Sequence, residues 1–426
     1  MRILHLCARY WPGLGGIERY AREISERLAA DGHTVTVATT DADEAESFWD
    51  PRRRRLSERE IELGGVRIRR YPLRYLPLAP RSYSVLRYLV FPVLAAAPFV
   101  PERWLRALAR LTPWAPDLWR WAATTPERYD LIGALGILYE PFLAAGLHLA
   151  RRLGAPCVAF PFTHLGAGPA PARDSVSRYY TMRHQVGLVR AAEAVVAMTP
   201  TEAAFYERQG VPADRLRIAP PGIEPEAVTG GDADRFRARH GLRGPVVAFL
   251  SAMARDKGAM HVVEAVRRLW AAGRAVELVL AGPVLAEFER YRATLPAAAR
   301  DRLRVLGPVS EAEKRDLWAA ADVVAMPSRT DSYGIVFLEA WANGKPVIGS
   351  RAWGMSDVIR EGEDGLLVPY GDVGALTAAL AGLLDDPERR AALGARGAAK
   401  VLASGAWAQR YPAVRDLYLA LAGRSA

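Results

Sequence analysis

One local order recurs in this chain: a short apolar run, a glycine-bearing turn, a helix-period segment and a second apolar run. Its first copy opens the sequence. Arg2–Cys7 reads as a buried strand and Ala8–Gly16 (ARYWPGLGG) as a glycine-rich turn. Ile17, Tyr20, Ala21, Ile24 and Leu28 then recur at helical spacing, Asp31-Gly32 stops the helix, and Thr34–Thr40 is a β-branched run. This is the order of a βαβ unit, and it predicts an open parallel α/β sheet. The turn after the first strand then lies at the carboxyl end of the sheet, where backbone amides can approach a ligand. A dinucleotide GxGxxG turn would need glycine at position 18, which is Glu18, so a nicotinamide or flavin site is disfavoured.

The alternation continues through strands near Tyr129–Leu135, Pro156–Phe162, Ala194–Met198 and Ile218–Gly222, with Thr199 as a helix cap. Residues 41–60 are polar and read as a mobile loop. The pattern loosens around Gly230–Gly244 and restarts with Val246–Leu250, the loop Ser251–Gly258 and a helix from Met260 to Trp270. At 426 residues the chain exceeds one ordinary core. The expected domains are 1–222, with a basic, aromatic-rich segment at 52–121, and 245–405. The linker region is 223–244, and a C-terminal helix, 406–426, is expected to pack back on the first domain. Two such domains place a cleft between two sheet edges.

Charge enters the argument because it is local. The net +10 is concentrated between Arg52 and Arg106, which hold 13 arginines against four glutamates, a surplus of nine. Between Val66 and Trp121, Tyr71, Tyr88, Phe99, Trp104 and Trp119 are among the aromatics interleaved with arginines and prolines. Leu89–Val100 is uncharged but only 12 residues long and contains two prolines, too short to span a bilayer. The mixture suits an anionic membrane surface, and it equally suits helices packed on the domain with a solvated arginine face. Nucleic acid is disfavoured, because no recognition motif accompanies the charge. Cys7 and Cys157 lie in strand-like runs, so no disulfide is implied and a reducing cytoplasmic setting is expected. Met1-Arg2 leads directly into a strand-like run, so no signal peptide is expected. No CxxC or HExxH spacing suggests a metal site.

The most informative stretch is Pro327–Ser350, PSRTDSYGIVFLEAWANGKPVIGS. It reads as a loop holding Asp331, a helix from Ile335 to Trp341 holding Glu339, a stop at Asn343-Gly344 and a strand at Val347–Gly349. Ile335 and Glu339 are i, i+4 neighbours, so Glu339 shares a face with the first free amides of the helix. Such a helix start is a phosphate site, and two carboxylates beside it can hold hydroxyls. A sugar nucleotide carries those groups. The alternative is a cap acid and an unrelated solvated glutamate. His164 follows a strand end, where it is either a ligand group or a histidine bonded to backbone.

In this order the chain resembles the retaining GT-B glycosyltransferases of family 4. Gly15-Gly16-Ile17-Glu18 is similar to the family's GGxE loop, Lys257-Gly258 to its KG element, Leu280-Ala281-Gly282 to its AG turn and Gly307-Pro308-Val309 to its GxV. Asp331–Glu339 resembles the EX7E motif, with Gly365–Val368 and Gly371-Asp372 as its sequel. The resemblance implies two Rossmann-like domains facing each other across a cleft, acceptor side first and donor side second. It implies a hexose moved with retention from a UDP- or GDP-sugar to a glycan or lipid-linked acceptor, in polysaccharide or glycolipid biosynthesis, without metal or other cofactor. Apart from the resemblance, the cysteines and the basic segment point to a cytoplasmic location, peripheral at the inner face of the plasma membrane where that segment meets lipid.

By the same resemblance Lys257 holds the pyrophosphate, and the amides of Gly16, Gly334 and Ile335 stabilise leaving-group charge. Gly15, Val336 and Val309 line the donor, Glu339 holds the ribose, Asp331 the transferred sugar, and His164 orients sugar or acceptor. Three departures stand out. The first acid is Asp331, one methylene shorter than glutamate. Ala252 replaces the usual arginine, with Arg255 as the expected substitute and Arg329 a less direct one. Trp353-Gly354 and Asp357 stand where Gly-Gly and Glu are common. Competing readings are a GT-B sugar-nucleotide epimerase, a retaining phosphorylase, or a catalytically weak sugar-nucleotide-binding protein.

Overall fold

The computed structural model describes residues 1–13 and 15–423; Leu14 of the glycine turn and the last three residues of the expected C-terminal helix lie outside them. The chain divides into two compact units. Unit 1 comprises Met1–His164, Ser175–Pro220 and the segment from Tyr411 onward, and unit 2 comprises Leu165–Asp174 and Pro221–Arg410.

Unit 1 is built on eight strands: β1 (Arg2–Cys7), β2 (Thr34–Thr40), β3 (Glu60–Leu63), β4 (Val66–Tyr71), β5 (Leu131–Leu135), β6 (Cys157–Phe160), β7 (Ala194–Ala197) and β8 (Leu216–Ile218). They lie in the order β3-β4-β2-β1-β5-β6-β7-β8, parallel except for the β3–β4 hairpin. β1, β5, β6 and β7 are buried almost throughout, as strands covered on both faces require. The helix Gly16–Ala30 buries Tyr20, Ala21, Ile24 and Leu28, the stripe that its sequence period predicts. The last strand ends at Ile218 rather than Gly222, because Pro220 and Pro221 have no N–H to give to a ladder.

Buried polar bonds hold the C-terminal helix Trp407–Ala422 within this unit from Tyr411 onward. Tyr418 Oη lies 2.9 Å from His5 Nε2, and His5 Nδ1 lies 2.7 Å from Ser25 Oγ. Burial lowers the His5 pKa to about 3, so the ring is neutral. Residues 41–60, expected as a mobile polar loop, are held by Asp41, which is buried and binds both Arg55 and Arg59.

Unit 2 has six parallel strands: β9 (Val246–Leu250), β10 (Glu277–Ala281), β11 (Leu303–Gly307), β12 (Val323–Ala325), β13 (Val347–Ser350) and β14 (Gly365–Val368). Their order is β11-β10-β9-β12-β13-β14, so the winding reverses between β9 and β12. Residues 223–244, read from the sequence as a linker region, instead contain the helices Pro225–Val228 and Ala233–His240 of this unit. Phe236 is fully buried there and Arg235 pairs with Asp316 at 2.6 Å. An arginine-rich stretch with one aromatic anchor hid that helix from a pattern search. Both units are thus α/β with parallel sheets, as expected.

Candidate active site

In a doubly wound sheet, ligands collect at the carboxyl ends of the two strands where the winding reverses. In unit 2 these are β9 and β12, and the loops that follow them carry Lys257 and Asp331. The two loops are in direct contact. Gly258 has φ +83°, and a Cβ there would come within 2.5 Å of the Pro327 carbonyl oxygen, so only glycine allows this approach. The Arg329 amide donates to the Asp256 carbonyl at 2.7 Å. Lys257 Nζ consequently reaches Asp331 Oδ2 at 2.9 Å and the Thr330 carbonyl at 3.3 Å. Asp331 Oδ1 accepts the Ser332 amide at 2.9 Å, which fixes the carboxylate's direction. Both side chains remain partly exposed, so a ligand can reach them.

The helix Ile335–Ala342 begins immediately after this loop, with Gly334 as its N-cap at φ +84°. A Cβ on Gly334 would meet the Phe337 ring at 2.7 Å, so the tight entry again depends on glycine. The amides of Ile335 and Val336 belong to the first turn, which has no intrahelical carbonyls to bind. Together with the positive helix end they can receive a phosphate. One turn on, Glu339 is buried and its Oε1 lies 3.1 Å from Lys314 Nζ. Lys314 is buried too and also reaches Glu311 at 2.7 Å. It stands on the helix Glu311–Ala320, which Ser310 caps and Val309 precedes, so one helix start links Val309 to the partner of Glu339. Sequence reasoning missed Lys314. The available signal was a lysine three and four residues before the core residues Leu317 and Trp318, on their face.

Lys257 and Asp331 are therefore brought together, while Glu339 belongs to a separate buried pair. Arg255 is exposed: its amide donates to Glu287 at 2.9 Å, its carbonyl accepts Tyr370 Oη at 3.0 Å, and its guanidinium makes no ion pair among the described residues. Arg329 occupies the two contacting loops instead, with Nε 3.2 Å from Asp174 and Nη1 3.8 Å from Asp256. Burial raises the Asp256 carboxyl's pKa despite that arginine. Asp174 comes from Leu165–Asp174, the short segment grouped with unit 2, and Trp353 fastens that segment. The Trp353 amide donates to Gly166 O and its indole to Gly168 O, both at 2.9 Å. The tryptophan that stands where glycine is common thus ties this segment to the loop after β13. Among the described residues no group of three or more His, Cys, Asp or Glu side chains could hold a metal ion.

Unit 1 holds the other expected residues. Gly15 caps the helix Gly16–Ala30, and Gly16 is exposed at its first turn, while Glu18 turns back to Arg9 at 2.6 Å. His164 is partly buried and stacks on Tyr180 with centroids 4.4 Å apart. The residue before it is firmly held: the Thr163 amide donates to Glu202 Oε1 at 2.6 Å and its hydroxyl lies 2.7 Å from Tyr206 Oη. Glu202 also accepts the Met198 amide at 2.7 Å, yet burial outweighs both amides and raises its pKa to about 7.

Comparison with known proteins gives a consistent result. Residues 14–227 match the model of Glycosyltransferase Family 4, and residues 244–386 match that of Glycosyl transferases group 1. The D-inositol 3-phosphate glycosyltransferase of Nocardia farcinica is 32% identical over 334 residues, covering 76% of this chain and 70% of that protein. Among solved structures, sucrose-phosphate synthase from Thermosynechococcus elongatus superposes with a TM-score of 0.73 at 23% identity, covering 99% of both chains. Anabaena HepE, solved in complex with UDP and glucose, superposes with a TM-score of 0.71 at 20% identity, covering 97% of this chain and 98% of that one.

Proposed function

Because the chain belongs to glycosyltransferase family 4, we propose that it moves a hexose from a UDP- or GDP-sugar to a hydroxyl of a glycan or lipid-linked acceptor. The observation that carries this reading is the contact of the Lys257 and Asp331 loops where the strand order reverses, beside the helix start at Gly334. The diphosphate takes the place of Asp331 on Lys257 and receives the amides of Ile335 and Val336. Arg329 supplies the second cation, in the role first assigned to Arg255, with Asp174 holding it until the donor enters. Asp331, released from the lysine, turns to the hydroxyls of the sugar, and Glu339 holds the ribose, oriented by Lys314. Val309 borders the base.

Cleavage of the bond between the sugar's anomeric carbon and the diphosphate oxygen leaves oxocarbenium-like charge on the sugar and negative charge on the diphosphate. Lys257, Arg329 and the first-turn amides are charges and dipoles already in place for the latter. These groups do what a divalent cation would do, so the reaction as proposed needs none. The acceptor hydroxyl attacks the same face, giving retention, and its proton passes to a donor phosphate oxygen. The resemblance assigns Gly15 and Gly16 to the donor and His164 to the orientation of sugar or acceptor, and those roles are kept in this reading. HepE is solved in complex with UDP and glucose, which supports a UDP-hexose donor. A cytoplasmic reaction at an anionic membrane face is part of the same proposal.

Incubating the protein with UDP- and GDP-hexoses and an acceptor panel, with product anomers read by NMR, tests the reading. Transfer with retained configuration is expected. Donor conversion without acceptor would indicate an epimerase, strict dependence on inorganic phosphate a phosphorylase, and binding without turnover a sugar-nucleotide-binding protein.

A further inference from the structure

The arginine-rich segment of unit 1 consists of two chemically different parts. Between Arg52 and Arg70 the charge is compensated within the fold. Arg52 pairs with Asp50, Arg54 with Asp43, Arg55 and Arg59 with Asp41, and Arg67 and Arg69 with Glu60 and Glu127. From Arg74 to Arg110 the only acid is Glu102, which is taken by Arg106 at 2.8 Å. Arg74, Arg81 and Arg103 are exposed and make no ion pair among the described residues.

The second part also has its patterning inverted. One helical run extends from Arg81 to Ala96. Its inward stripe is Tyr83, Arg87 and Phe91, all buried. Arg87 is fully enclosed, bonded to Glu140 at 2.8 Å, and Glu140 in turn lies 3.0 Å from His184. Burial opposes the charge on Glu140, but Arg87 and His184 outweigh it and lower its pKa. The outward stripe is apolar: Val85 is 52% exposed, and Leu89 and Val93 are each 62% exposed. Leu78 and Phe99 flank the run at 86% exposure, and Trp104 stands beside Arg103 at 61%. These six side chains belong to a set of only 11 exposed large hydrophobics among the described residues. An open groove of about 690 Å³ is lined by Leu78, Pro80, Arg81, Val85, Leu86 and Val90. The backbone beneath is fixed, since Arg183 Nε donates to the Ala95 carbonyl at 2.9 Å and its Nη2 reaches the Ala97 carbonyl at 3.1 Å.

We propose that Leu78–Trp104 is the surface by which this protein docks on an anionic lipid bilayer, with the apolar stripe entering the acyl boundary and Arg74, Arg81 and Arg103 meeting headgroups. The pattern meets the physical requirements of interfacial binding: outward aliphatic and aromatic side chains, uncompensated arginines beside them, and a rigid base. A folded partner protein would also bury the apolar stripe. Uncompensated positive charge with almost no interspersed acid fits a phosphate-covered surface better. No described helix is long and apolar enough to cross a membrane, so attachment is to one face. The proposal extends the lipid-linked acceptor suggested above, but its test reads lipid binding rather than transfer, so the two can fail separately.

Co-sedimentation with phosphatidylcholine vesicles, with and without phosphatidylglycerol, provides the test. The full chain is expected to bind the anionic vesicles and to release as salt rises. The combined variant Leu89→Glu, Val93→Glu, Phe99→Glu should lose at least ~tenfold in vesicle affinity, with thermal unfolding unchanged because the sites are exposed. Arg81→Glu with Arg103→Glu should cost about fivefold per arginine and flatten the salt dependence. Absence of binding to anionic vesicles at low salt would overturn the proposal. So would undiminished vesicle binding by the apolar variant, or an apolar variant whose one change is loss of a concentration-dependent dimer.

Discussion

Lys257 Nζ lies 2.9 Å from Asp331 Oδ2, an ion pair that joins the loops leaving β9 and β12 at the reversal of the strand order. The cation and the acid assigned to different parts of the donor therefore satisfy each other in its absence. The two residues should separate by ligand. Lys257→Ala is expected to weaken UDP and UDP-sugar alike and to lower turnover about a hundredfold. Asp331→Asn should weaken only the sugar-bearing donor. Calorimetric titration of each variant with UDP and with its hexose conjugates checks the split.

Lys314 and Glu339 are buried together at 3.1 Å. Removing one partner of such a pair leaves an uncompensated charge and costs about 3–5 kcal/mol. Lys314→Met should therefore destabilise strongly in denaturant unfolding. Lys314→Met with Glu339→Gln should recover much of that stability without recovering donor affinity. Equal recovery of both would mean that Glu339 does not touch the donor.

Arg329 is held by Asp174 at 3.2 Å on the loop that carries Asp331. If the diphosphate displaces that carboxylate, the two substitutions have opposite signs. Arg329→Ala should weaken UDP about tenfold, the loss of one charge-assisted contact, and Asp174→Ala should tighten it. Thermal shift against UDP concentration measures both.

Glu202 supplies a pH test. Its folded pKa of about 7 is raised above the ordinary glutamate value of 4.5, because burial penalises the carboxylate. Its contribution to stability is full below the unfolded value and is lost as pH rises through about 7. Relative to Glu202→Gln, the native chain should lose about 3 kcal/mol between pH 4 and pH 8. Paired melting curves across that range read the difference directly.

Much of this arrangement was legible in the sequence because it depends on local chemistry. Gly258 and Gly334 mark the two loop turns, and the strand Val347–Gly349 expected after the Asn343-Gly344 stop lies within the observed Val347–Ser350. Lys314 was missed although it shares a face with Leu317 and Trp318, because the buried acid it meets, Glu339, lies 25 residues away. Arg329 and Asp174 are 155 residues apart, and nothing local connects them. The helix Ala233–His240 was passed over for the same reason: Arg235 and Arg237 read as solvated until Asp316 and Asp322 are placed beside them. The excess of arginine from 52 to 106 was visible, but its division into a compensated and an uncompensated part required the fold.

In the proposed function a nucleoside diphosphate sugar is held by the Lys257 loop and the helix that starts after Gly334. Calorimetric titration of the native chain and of Lys257→Ala with UDP- and GDP-hexoses, in buffer containing EDTA, tests it most directly. Saturable binding of one of these donors without added metal is expected, weakened at least ~tenfold by the substitution. A native chain that binds none of them under these conditions, or a Lys257→Ala variant that binds with unchanged affinity, would contradict it.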